Sequence, residues 1–315
     1  MYYIGVDLGG TNIAVGIVNE KGEMLKKGSV PTNAKRPADE IIKDMGELCK
    51  KLMAEQGITA DDVQYAGIAT PGTADHDSGI VVYANNLPFE NYPLAAKLSE
   101  FSGIKKVLIE NDANAAAKGE AELGAAKGCN NSVMITLGTG VGGGIIIDKK
   151  VYSGFNYAGG ELGHVVIEVD GAQCSCGRKG CWEAYSSATG LINMTKAKMQ
   201  ETKDTVMWEL APTLDDVDGK TAFDAMRKND KAGIEVVDKY IKYLAAGLIN
   251  MINIFQPEVL VIGGGICKEG DNLLVPLRKY IDAEEYGKSN AKRTQVKIAS
   301  LGNDAGIIGA AMLGI

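Results

Sequence analysis

Tyr2-Tyr-Ile-Gly-Val-Asp7-Leu-Gly-Gly-Thr11-Asn-Ile-Ala-Val-Gly-Ile-Val18 sets two apolar runs either side of a Gly-Gly-Thr turn, and the turn residues Asn19 to Gly22 close the second run. Runs of this length, rich in β-branched residues and bounded by glycine, read as a pair of strands. A related stretch follows at Val133-Met-Ile-Thr136-Leu-Gly-Thr-Gly-Val-Gly-Gly-Gly144-Ile-Ile-Ile147-Asp. Shifted by 129 positions, Asp7-Leu-Gly-Gly-Thr11 falls on Thr136-Leu-Gly-Thr-Gly140, and Gly16-Ile-Val18 falls on Ile145-Ile-Ile147. Read as a duplication, this predicts two related domains, each with a Gly-rich turn. The alternative is coincidence between two glycine-rich hairpins.

The second turn also fits Gly-x-Gly-x-x-Gly at Gly138, Gly140 and Gly143. That dinucleotide fingerprint needs a helix after the glycines, and here a β-branched run follows. A strand-turn-strand loop suits phosphate instead, bound through backbone N–H groups and hydroxyls. Thr11, Asn12 and Thr139 are the polar side chains placed for it. Asp7 is the only carboxylate of the first turn and can anchor a magnesium ion near phosphates, directly or through water. Asp7 as a simple turn-capping residue is the alternative.

Between the two turns, Tyr65-Ala-Gly-Ile-Ala-Thr-Pro71-Gly72-Thr73 reads as a strand ending in a turn. Val107-Leu-Ile-Glu110-Asn111-Asp112 reads as a buried strand ending in polar residues, and good helix formers follow from Ala113. Strand, polar elbow and helix put Asp112 at a helix start and a strand's carboxyl end, where open α/β sheets bind ligands. Asp112 as an N-cap and Asn111 as a turn former are the plainer readings. Glu258-Val-Leu-Val-Ile262-Gly-Gly-Gly265 is another buried strand running into glycines, which suit either a flat ligand or a tight strand-helix turn. Leu191 to about Phe255 is mostly helical in pattern, interrupted at Pro212 and Gly219. Asn303 to Gly314 reads as a small-residue helix returning to the first domain. His76, in the polar turn Asp75-His-Asp-Ser-Gly79, reads as solvated.

Glu161-Leu-Gly-His164 and Cys174-Ser-Cys176-Gly-Arg-Lys-Gly-Cys181-Trp-Glu183 bring together one histidine and three cysteines. Cys₃His is a complete ligand set for a closed, structural zinc site. Ordinary buried thiols or a disulfide pair are the alternatives, and a disulfide would leave one cysteine over. The zinc loop then braces two carboxylates, Glu161 and Glu183.

Composition is that of an ordinary soluble globular protein, 45% hydrophobic and 23% charged over 315 residues, enough for two domains. A net charge of -7 argues against a nucleic-acid partner. The longest Gly/apolar stretch, Val133 to Ile147, is too short to span a membrane, and no signal peptide is visible. Six scattered or clustered cysteines suit a reducing cytoplasmic setting.

Together, Asp7-Leu-Gly-Gly-Thr11, Glu110-Asn-Asp-Ala-Asn114, Leu137-Gly-Thr-Gly-Val-Gly-Gly-Gly144 and the Glu161–Glu183 segment resemble the ROK family of bacterial sugar kinases and repressors. The resemblance covers nearly the whole chain and is nearest to the ATP-dependent glucokinases of that family. It implies an α/β fold of two ribonuclease-H-like domains, of the actin and sugar-kinase type, around a central cleft. Residues 1–115 with 302–315 would form the small domain, and 116–301 the large one with the zinc loop.

The implied activity is transfer of the ATP γ-phosphoryl group to the 6-hydroxyl of a hexose, glucose first. Asp112 would be the catalytic base. Gly72, Thr73, Asn86, Asn111, Glu161, His164 and Glu183 would bind the sugar. Asp7, Gly9, Gly10, Thr11 and Asn12, with Thr139 and Gly140, would hold phosphates and Mg²⁺, and Gly263, Gly264 and Gly265 would lie near adenosine. His164, Cys174, Cys176 and Cys181 would hold Zn²⁺, and a homodimer is implied. An N-acetylmannosamine or N-acetylglucosamine kinase, or a fructokinase, is the alternative within the family. A sugar-responsive repressor is disfavoured, because Asp7 leaves no room before it for a DNA-binding domain.

Overall fold

The computed structural model describes residues 1–315 and is an α/β structure with mixed sheets. The opening stretch forms β1 (Tyr2–Leu8) and β2 (Asn12–Asn19), paired antiparallel, and β3 (Met24–Pro31) adds antiparallel to β2. Helix α1 (Ala38–Gln56) follows. Its buried Ile41, Met45, Leu48 and Leu52 recur at helical spacing and form one apolar stripe in the core with Ile4, Val6 and Ile68. Strand β4 (Val63–Thr70) then pairs parallel to β1.

Three short strands, β5 (Thr73–Asp75), β6 (Ile80–Tyr83) and β7 (Glu90–Tyr92), make a small antiparallel sheet. After α2 (Leu94–Ser102), strand β8 (Val107–Asn111) pairs parallel to β4, giving the order β3-β2-β1-β4-β8. Helix α3 (Asp112–Glu122) starts directly from β8. β9 (Ser132–Leu137), β10 (Val141–Ile147) and β11 (Lys150–Val151) lead into a second mixed sheet. After α4 (Glu183–Ser186), the region read as helical holds most of α5 (Ala188–Glu201), then α6 (Met207–Leu210), α7 (Thr221–Arg227) and α8 (Lys231–Phe255). β12 (Val259–Gly264), α9 (Asp271–Glu284), β13 (Gln295–Ile298) and α10 (Ala305–Ala311) complete the chain. The second sheet has the order β11-β10-β9-β12-β13, with β12 and β13 parallel.

By packing, the residues fall into two compact units: Met1–Met134 with Gly144–Gly160 and Ala299–Ile315, and Ile135–Gly143 with Glu161–Ile298. The sequence expectation ended the first stretch at residue 115. Packing carries it further, because α3 is held to the C-terminal segment. Glu120 of α3 is fully buried and accepts the N–H groups of Ser300 and Leu301 at 2.9 and 2.8 Å. No helix is long and apolar enough to cross a membrane.

Candidate functional site

In the first unit the parallel strands β1, β4 and β8 bring their carboxyl ends to one sheet edge. Asp7 lies beside Ala69, Ala69 beside Glu110, and Thr70 beside Asn111. Asp7, the Pro71–Thr73 turn and the Asn111–Asp112 elbow therefore gather on the edge where such sheets place ligands. The turn after Asp7 is closed by Gly9 N–H donating to Asn12 O at 2.9 Å, and the Thr32 hydroxyl ties Gly9 O at 2.6 Å. Thr11 and Asn12 are exposed, so their polar groups face solvent. Asn86 packs beside Gly10. Burial raises the Asp7 carboxyl above its ordinary range, and Lys27 opposes the rise.

Asn111 is the N-cap of α3. Its Oδ1 accepts the N–H groups of Ala113 and Asn114 at 3.0 and 3.3 Å, and its Nδ2 donates to Gly72 O at 3.1 Å. The cap therefore falls to Asn111. Asp112 is the first helical residue, and its Oδ1 accepts the Ala113 N–H at 2.8 Å.

In the second unit, His164, Cys174, Cys176 and Cys181 come together, with their ligand atoms all within 4.8 Å of one another. Cys176 Sγ and Cys181 Sγ are 3.7 Å apart, as are Cys174 Sγ and His164 Nδ1. Bonds of about 2.3 Å to a tetrahedral zinc would set sulfurs about 3.8 Å apart, whereas a disulfide needs about 2.05 Å. All six cysteines are free thiols. Burial and the neighbouring thiols push Cys181 up to about 12, a penalty that a divalent cation among them would remove. The donor set fits zinc.

Trp182 is fully buried, donates from Nε1 to Tyr243 O at 3.1 Å and packs against Gly247 of α8. It fixes its two chain neighbours, Cys181 and Glu183. The Glu183 carboxylate accepts the Val141 N–H at 2.9 Å and the Ser175 hydroxyl at 3.2 Å, with Cys174 Sγ at 3.7 Å. A Cβ on residue 140 would fall 2.3 Å from Glu183 Oε2, so any side chain there would displace that carboxylate. Gly138 N–H closes the turn onto Gly140 O at 3.0 Å, and the Thr189 hydroxyl donates to Thr139 O at 2.8 Å. Glu161 is exposed and starts the short turn of helix that carries His164. At the Gly263–Gly265 turn, Gly264 has φ of +105°, and a Cβ there would fall 2.1 Å from the Leu137 carbonyl oxygen. That glycine is explained by a tight turn, while Gly265 faces open space.

His76 is exposed, in line with the sequence reading, yet its Nδ1 is 3.3 Å from Glu110 Oε2 and its ring sits edge-on to Tyr157 at 4.8 Å. Glu110, Asn114, Ser153 and Ser175 were missed as site neighbours. The available signal was a carboxylate, Glu110, ending an otherwise apolar strand.

A family model described as the ROK family matches residues 3–315. A glucokinase of Thermotoga maritima is 38% identical over 98% of this chain and 96% of its own length. A glucokinase of Halalkalibacterium halodurans is 36% identical over 99% of this chain and 94% of its own. The crystal structure of a ROK family glucokinase from Streptomyces griseus, in complex with glucose and AMPPNP, superposes with a TM-score of 0.81 at 35% identity, covering 99% of both chains.

Proposed function

The chain belongs to the ROK family, and from that premise we propose that it is an ATP-dependent glucokinase making glucose 6-phosphate. The observation that carries the proposal is full-length similarity to glucokinases, one of them solved with glucose and an ATP analogue. The residue chemistry agrees with it. Phosphoryl transfer asks a protein mainly for positioning and charge neutralisation. Asp112, at the positive end of α3, where a carboxylate is favoured, takes the 6-hydroxyl proton as the new P–O bond forms. Asn111 keeps one Nδ2 proton for a sugar hydroxyl, and Gly72, Thr73 and Asn86 line the same set.

Glu161, Glu183 and the second nitrogen of His164 are assigned to the remaining hydroxyls. Zinc supplies rigidity there, fixing the His164 ring and the loop before Glu183. Asp7 anchors Mg²⁺, since its burial leaves a carboxylate that a cation would stabilise. Gly9, Gly10, Thr11 and Asn12 cradle phosphate, with Thr139 and Gly140 from the second loop. Gly263, Gly264 and Gly265 are assigned to adenosine.

The sheet order β3-β2-β1-β4-β8, antiparallel then parallel, supports a ribonuclease-H-like reading of the first domain, and the duplicated strand pair extends it to the second. A homodimer acting in glycolysis in the cytoplasm completes the reading. The test is ADP release with Mg-ATP over a hexose panel. Glucose should give the highest kcat/KM, ahead of fructose and N-acetylmannosamine; a higher value for N-acetylmannosamine would overturn the choice of sugar.

A further inference from the structure

We propose that Glu110 is a positioning residue for phosphoryl transfer, a buried carboxylate that ties the Asp112 elbow and the turn after Thr73 into one geometry. The inference rests on the reading of Asp112 as base. Glu110 is 4% exposed, and a carboxylate so buried is tolerated only when donors surround it. Its Oε1 accepts the Asn111 N–H at 2.9 Å and Asn114 Nδ2 at 3.0 Å. Its Oε2 lies 3.2 Å from the Ser153 hydroxyl and 3.3 Å from His76 Nδ1.

These donors come from three segments of the first unit: the start of α3, the turn between β5 and β6, and the chain after β11. The first bears Asp112. The second follows directly on Thr73 and is itself fastened, because Tyr157 meets the His76 ring edge-on and donates its hydroxyl to Asp77 at 2.7 Å. Asn111 adds a cross-tie to Gly72 O. Asn114 Oδ1 is left buried without a partner, an orientation the carboxylate dictates by claiming Nδ2. A buried strand end needs none of this for folding, since an apolar side chain would fill the space. The network instead fixes where Asp112 stands relative to the sugar-binding turn.

Glu110→Gln keeps the size but turns an NH₂ group toward donors. It should lower kcat about 10-fold, the scale of a small misplacement of a catalytic group, with KM for ATP unchanged. Asp112→Asn should lower kcat by about 10² to 10⁴. In the Asp112→Asn background, Glu110→Gln should cost less than about 2-fold further, because effects routed through one group do not multiply. His76→Phe, at a partly exposed ring, gives a second cycle with no threat to folding, and should cost about 3-fold in the parent and nothing on Asp112→Asn. If Glu110→Gln does not fold, this cycle decides. Losses that multiply in the double variants, or an unchanged rate in the single ones, overturn the positioning role. An unchanged rate in Asp112→Asn alone would instead remove the base assignment, and this proposal with it.

Discussion

Burial raises the Asp7 carboxyl above its ordinary value of 3.8, and Lys27 opposes the rise. Folding therefore favours protonated Asp7. The stability it contributes is present below pH 3.8 and lost as pH rises through the raised value. At neutral pH the ionised side chain is a cost to the ligand-free protein. Asp7→Asn should raise Tm by about 1–3 °C without ligands while lowering kcat about 10²-fold or more through loss of the Mg²⁺ anchor. Calorimetry and steady-state rates on one preparation check both; a lower Tm with full activity would contradict the assignment. Asp7 was legible because it is the one carboxylate in a glycine turn. The division of labour at Asn111–Asp112 was not, since either residue type can cap a helix and only the hydrogen bonds show that Asn111 does.

At the scale of elements, the Cys₃His loop and α8 hold Glu183 from two sides, the first through Cys181 and the second through buried Trp182. Cys176→Ala should lower zinc from about one per chain and raise KM for glucose about 10-fold or more, the scale seen when a metal site loses support. Metal analysis and kinetics read this; full zinc occupancy in that variant would remove Cys176 from the ligand set. Burial pushes the Cys49 and Cys267 thiols up to about 12, and neither lies in the cluster. The ligand set was readable from spacing, because a thiol-rich loop with glycines has few other uses. The β5–β7 sheet was not read, because its strands are three or four residues long and partly polar. With it went the surroundings of His76, whose partner Glu110 lies on a distant strand.

Over the whole molecule, the repeat of Asp7–Val18 at Thr136–Ile147 foretold two strand pairs at the heart of two five-stranded sheets. Periodicity sufficed there, because both pairs are buried and glycine marks their turns. The limits of the packing units were harder to read, because they depend on long-range contacts such as Glu120 with Ser300 and Leu301. The central claim is that this chain moves a phosphoryl group from ATP to the 6-hydroxyl of glucose with Asp112 as base. The most direct test is a single-turnover reaction of parent and Asp112→Asn with Mg-ATP and glucose, the product identified by phosphorus NMR. The parent should form glucose 6-phosphate, and Asp112→Asn should bind glucose by calorimetry yet form the same product about 10² to 10⁴ times more slowly. ADP formation by the parent without a phosphorylated sugar, or an Asp112→Asn rate within a few-fold of the parent, would contradict the account.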